Sequence, residues 1–185
     1  RKAPAPRRFG PQDKQELLSR VVANHGGVPL SWVASTQGTP YANLGDALSA
    51  VVVAALAGVP VRHAHFDSPG ERLVGVGTIG HAQKNGTLHI WGTGFDATRN
   101  AVQPDLGQFI APPDTAFHVH ATRGPRSAGL LRTAGLASGP CAHGDPVWLL
   151  PRIWPMADVP KTTDIGVIVH ITELEALHPL SLIHI

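Results

Sequence analysis

RLVGVGTIGHAQKNGTLHIWGTG, residues 72–94, decides the fold. It holds two brief apolar runs, RLVGVG (72–77) and TLHIWGTG (87–94), each closed by glycine. Short runs of this kind, bounded by turn residues, read as strands covered on both faces of a parallel sheet. AFHVHATRG (116–124) is a third unit of the same make. Upstream, PLSWVAS (29–35) and VRHAHF (61–66) read as further strands.

Helical patterns separate them. PQDKQELLSRVVANH (11–25) places Leu17, Leu18, Val21 and Val22 on one face, with Pro11 near its start and Gly26 and Gly27 at its end. Residues 46–57 read as a helix with Asp46 near its N-cap, stopped by Gly58 and Pro60. PRSAGLLRTAG (125–135) opens on Pro125 and ends on Gly135. Alternating strands and helices predict an α/β domain with a Rossmann-like, mostly parallel sheet. Ligands of open α/β sheets bind outside the carboxyl ends of the strands, so the glycine-rich strand ends mark the expected site.

Composition narrows the class. Of 185 residues, 43% are hydrophobic and 15% charged, which excludes a disordered chain. A net charge of +2 gives no case for nucleic acid. Much of the positive charge lies in RKAPAPRR (1–8), so residues 1–10 read as a flexible basic tail. Residues 11–151 read as the α/β domain. The proline-rich stretch 152–162 reads as a linker, and 163–185 as the start of a second, truncated domain opening on the strand TDIGVIVHI (163–171). Cys141 is the single cysteine, which fits a reducing compartment. The longest apolar run, AVVVAALAGV, falls well short of the ~18 residues that suggest a membrane span. No apolar core follows the N-terminal charges, so no signal peptide is expected.

Five motifs carry the candidate chemistry. In Asn43-Leu44-Gly45-Asp46, the aspartate reads either as a helix cap or as a carboxylate that accepts a proton from a substrate hydroxyl. Gly77 and Thr78 follow one strand, and their neighbours Gly75 and Gly80 complete G-x-G-x-x-G. No acid stands at a second strand end ~20 residues on, as a ribose contact requires, so a nicotinamide site is not expected. Gly92 and Gly94 form a second glycine loop, readable as a tight turn or a ligand contact. Arg123, at a strand end just before the Pro125 helix, pairs a guanidinium fork with a helix N-terminus and so suits an anion. Ser127 lies in the first turn of that helix. His143-Gly144-Asp145-Pro146 reads as an Asx-type turn or as a further contact through Asp145. Eleven histidines show no metal-ligand spacing, so no metal is expected. There is no G-x-S-x-G elbow and no P-loop lysine.

The order of these motifs is more specific than any one. N-x-G-D, V-G-x-G, W-G-x-G, R-G-P-x-S, G-D-P-x-x-L-L-P and I-G-x-x-x-H follow one another over residues 29–171. This series resembles the polysaccharide pyruvyltransferase family, including its exopolysaccharide ketal-forming members. The resemblance implies two Rossmann-like halves facing a cleft, similar to the GT-B glycosyltransferases, with this chain as the N-terminal half. It implies transfer of pyruvate from phosphoenolpyruvate onto two hydroxyls of a saccharide acceptor, often lipid-linked, at the cytoplasmic face of a bacterial membrane. It implies peripheral rather than membrane-spanning association, and no cofactor. By motif, Asp46 and Arg123 fall on catalytic positions. Asn43, Gly45, Gly77, Thr78, Gly92, Gly94, Ser127 and Asp145 fall on substrate-binding ones. The family's Arg-Leu-His motif, carried in its second half, does not occur in these residues, and Val169 stands where proline is usual. A GT-B glycosyltransferase using a nucleotide sugar and a non-catalytic saccharide-binding chain are the alternatives.

Overall fold

A computed structural model describes residues 16, 19–20, 22–34, 43–99, 107–154, 160 and 162–165. The basic tail, most of the expected first helix, much of the 152–162 linker, and positions 166–171 of the expected last strand lie outside them. Residues 22–25 are helical, and Gly26 N–H donates to Val22 O at 2.8 Å.

Six strands form one sheet: β1 (Val28–Ser31), β2 (Val61–His63), β3 (Glu71–Val74), β4 (Gly86–Trp91), β5 (Thr115–Thr122) and β6 (Ala142–His143). Their order is β2-β1-β3-β4-β5-β6, and every pairing is parallel. The helices are α1 (Leu44–Ala57), α2 (Pro125–Thr133) and the short α3 (Leu150–Ile153), which runs across residue 151. From β1 the chain passes through α1 to β2 on one side, then returns across β1 to build β3 to β6 on the other. That reversal is a topological switch point, and it leaves a crevice outside the carboxyl ends of β1 and β3. No helix among the described residues is long and apolar enough to cross a membrane.

The strands are shorter than the apolar runs suggest. Gly77 and Gly92 have φ of +96° and +89°, so the chain leaves extended geometry where the runs still look strand-like. Helix α1 begins two positions before Asp46 and ends as expected, with Gly58 left-handed (φ 68°) and its N–H donating to Ala54 O.

The main packed cluster lies on one face of the sheet. Val74, Leu88 and Ile90 pack with Ile79, Phe95, Phe109 and Leu131 of α2, each nearly or fully buried. Phe95, Phe109 and Phe117 meet edge to face or tilted. Full burial of such a side chain stabilises by roughly 1.5–3 kcal/mol. At β5 the other face corrects the expectation of cover on both sides. Along that strand burial alternates, with Phe117 and Val119 turned to the core and Ala116, His118 and His120 exposed. β1, with Pro29, Leu30 and Ser31 all buried, is covered on both sides.

At the amino end of β3 and β4, Arg72 is only 1% exposed. Its guanidinium donates to the carbonyls of Phe66, Ser68, Lys84 and Asn85 and to Gln83 Oε1. A buried charge is tolerated when its donors are fully used, and here backbone dipoles take the place of a carboxylate.

Candidate functional site

The segments that follow β3, β4, β5 and β6 gather with the start of α1 at one edge of the sheet because every strand points the same way. Asn43, not Asp46, caps α1: its Oδ1 accepts from Asp46 N–H at 3.3 Å. Asp46 therefore sits one turn inside the helix, with its side chain free of capping. A Cβ placed on Gly77 would lie 2.8 Å from Asp46 Oδ1, so the carboxyl rests against the Gly77 backbone and only glycine leaves it room. Burial pushes the Asp46 carboxyl above its ordinary value, and the positive charge of Arg123 pulls it partly back. A carboxyl in the first turn of a helix is expected to be held ionised by the dipole. The shift runs the other way: desolvation is its largest cause, and the group is the more basic for it.

Arg123 comes from the far side of the crevice. Its backbone N–H donates to Thr93 O at 3.1 Å. Its Nη1 donates to Thr78 Oγ1 at 2.8 Å, and its Nε lies 3.2 Å from Asp145 Oδ2. Asp145 Oδ1 accepts from Val147 N–H at 3.0 Å, the expected Asx turn, which caps a single turn of 3-10 helix over Pro146–Leu149. One carboxylate thus ties the β6 loop to the guanidinium. Arg123 Nη2 makes no hydrogen bond among the described residues, and the side chain is 48% exposed.

The two glycine loops are laced together beneath these side chains. Gly94 N–H donates to Gly77 O at 2.9 Å, and Gly80 N–H to Gly94 O at 3.0 Å. Thr93 Oγ1 donates to Gly77 O at 3.0 Å. Gly94 is buried under Thr78 and Arg123, since a Cβ there would lie 2.9 Å from Thr78 Oγ1 and 3.3 Å from Arg123 Cδ. Gly92 lets the β6 loop pass: a Cβ would lie 2.7 Å from Gly144 O. Ser127 is buried, and its Oγ accepts from Phe95 N–H at 3.0 Å.

Asp46, Gly77, Thr78, Gly94, Arg123 and Asp145 are thereby brought to one mouth. Asn43 and Gly45 stand at the α1 terminus beside it, whereas Gly92 and Ser127 are engaged in packing the loops. Two residues escaped sequence reading. Ser49, buried in α1, has its Oγ 3.3 Å from Val76 N and fixes the β3 loop to the helix. Trp148, 81% exposed, lines an open cleft of ≈ 540 Å³ with Arg123, Asp145, Leu150 and Pro151. An Asp-Pro turn two residues before an aromatic residue is the signal that marks it.

Elsewhere, Glu71 Oε1 lies 2.6 Å from His89 Nε2, and His89 Nδ1 lies 3.0 Å from His120 Nε2 on the open sheet face. An ionised Glu71 only accepts, so His89 donates through Nε2 and receives the His120 N–H at Nδ1. The rings are nearly coplanar, at 7°. Among the described residues no three His, Cys, Asp or Glu side chains are placed to hold a metal.

No family model matches this chain, and neither a curated protein nor a solved structure matches it. Fold and site define a doubly wound α/β domain with an aspartate and an arginine facing one another at the mouth of its switch point.

Proposed function

We propose that this mouth is the donor side of a pyruvyltransferase, which moves pyruvate from phosphoenolpyruvate onto two hydroxyls of a saccharide as a cyclic ketal. The observation that carries the reading is the pairing of a carboxyl made more basic by burial with an arginine whose Nη2 has no bond among the described residues, on opposite sides of one crevice. The motif order supplies the reaction class.

In this reading Arg123 Nη2 takes an anionic oxygen of the donor, with Thr78 and Asp145 fixing the fork. Protonation of the donor's methylene carbon makes C2 electrophilic. Asp46 accepts the proton of an acceptor hydroxyl as its oxygen bonds to C2. The bond from C2 to the phosphate oxygen breaks, the second hydroxyl bonds to C2 and closes the ring, and its proton passes to the departing phosphate, while the proton taken by Asp46 balances the one given to the methylene carbon. The raised pKa of Asp46 favours proton acceptance over mere orientation. Asp46 and Asp145 together outweigh the charge of Arg123. The reading therefore assigns further positive charge, and the acid, to the Arg-Leu-His of the second half that the resemblance implies. No metal or cofactor takes part, and a lipid-linked acceptor would bring the protein to the inner membrane face.

The test is phosphate release from phosphoenolpyruvate plus acceptor, in protein that includes that second half. Asp46→Asn lowers turnover by about 10²–10⁴-fold. Arg123→Lys raises the donor KM about tenfold or more, because a point charge cannot replace the fork. Turnover of Asp46→Asn near wild type overturns the assignment. Release of a nucleoside diphosphate from a nucleotide sugar, with no phosphoenolpyruvate consumed, overturns the reaction class in favour of a glycosyltransferase.

A further inference from the structure

The cleft beside Arg123 has a composition that the donor chemistry does not use. Its polar lining is Arg123 and Asp145, already matched in charge at 3.2 Å. Its apolar lining includes Trp148, Leu150 and Pro151. Trp148 is 81% exposed on a turn that the Asp145 side chain caps. An indole left in water beside a cleft of ≈ 540 Å³ is an apolar surface without a partner among the described residues.

The chemistry of the walls selects the ligand. The neutralised Arg123–Asp145 pair gives no net attraction to a second anion, and a wholly apolar ligand would leave its polar atoms unpaired. A neutral polyhydroxylated ring satisfies both kinds of group. Its C–H face carries partial positive charge and lies on the negative face of the indole. Its hydroxyls donate to the outer lone pairs of Asp145. We infer that this cleft is a saccharide subsite in which Trp148 is the stacking platform and a specificity-determining residue. The inference rests on the proposed reading in one respect: it makes this saccharide the acceptor, placed next to Asp46 and Arg123.

Nuclear magnetic resonance of the chain labelled with ¹⁵N at its tryptophan indoles tests it. The Trp148 signal is the one absent from Trp148→Phe. Methyl β-D-galactopyranoside, methyl β-D-glucopyranoside and lactose are titrated separately, with glycerol as control. At least one sugar is expected to move the Trp148 signal saturably, and glycerol is not. Saturation transfer to the bound sugar persists in Trp148→Phe and falls at least tenfold in Trp148→Ala, as a platform requires. No movement with any of the three sugars, or equal movement with glycerol, overturns the inference. Phosphoenolpyruvate and the sugars added to labelled protein that includes the second half separate the two proposals. A sugar response at Trp148 without a donor response upholds the cleft and counts against the donor site. A donor response alone counts against the cleft and leaves the donor site standing.

Discussion

Asp46 shows how one carboxyl is tuned by neighbours distant in sequence. Its pKa is raised because it is pressed against the Gly77 backbone, and Arg123 offsets only part of that burial. The native state therefore binds the Asp46 proton more tightly than the unfolded chain does. This contribution to stability is complete below the unfolded value of 3.8 and is lost as pH rises through the higher folded value. Asp46→Asn removes the ionisation while leaving the Asn43 cap in place. Its melting temperature is expected to exceed that of wild type at neutral pH, with the gap closing in acid below the unfolded value. A gap that is absent at neutral pH, or that widens in acid, would contradict the burial argument. The sequence motif N-L-G-D was enough to place the residue at a strand mouth. It was not enough to say that Asn43 takes the cap, nor that burial raises the Asp46 pKa, because the burial depends on where Gly77 comes to rest.

At the level of the element, β3 carries the least expected feature. RLVGVG reads as a strand from its apolar residues, and its first residue looks like a polar flank. Instead Arg72 is fully buried and gathers the carbonyls of two loops, 66–68 and 84–85, around one guanidinium. Arg72→Met would fit the space yet strand several buried carbonyls. A loss of about 3 kcal/mol or more is expected. In thermal unfolding that is a fall of roughly 6–12 °C for a chain of this size. Arg72→Lys recovers little, since one ammonium cannot span both loops. A methionine variant that melts with the wild type would show that water replaces the fork. The ends of β3 and β4 were also overread, and for a physical reason. Valine and tryptophan favour strands, but the glycines after them take positive φ and turn the chain away.

Across the whole molecule, the alternation of strand and helix made the class legible, and the positions of glycine marked the edge where the loops of the candidate site gather. The strand order was not, because β1 pairs with both β2 and β3 through contacts far apart in sequence. The open face of β5 was visible in the alternation of Phe117, His118, Val119 and His120, once those residues are read as two sides. That face and the buried His81 predict an acid-sensitive domain. Burial lowers the pKa of His81; at His120, exposed at its edge, desolvation of the ring by its strand neighbours is the larger cause, and the neighbouring His89 and His118 lower it further. The unfolded chain binds these protons more readily, so stability present above 6.5 is lost as pH falls toward the depressed folded values. Melting temperature is expected to drop over that interval, and His81→Gln with His120→Gln to flatten the slope. An unchanged slope in the double variant would assign the acid sensitivity to other groups.

The lacing of the two glycine loops has a consequence for how this mouth behaves in time. Loops at a ligand site commonly exchange their amide protons through small local openings. Here the Gly80 and Gly94 amides continue the ladder of β3 and β4 beyond the strands. Their deuterium uptake is expected to be as slow as that of Leu88 and Ile90, reporting cooperative unfolding of the sheet rather than breathing of a loop. Uptake faster by orders of magnitude would show that the mouth opens locally. If it is slow, this side of the crevice is preformed, and any gating that encloses a ligand must come from chain that lies across from it.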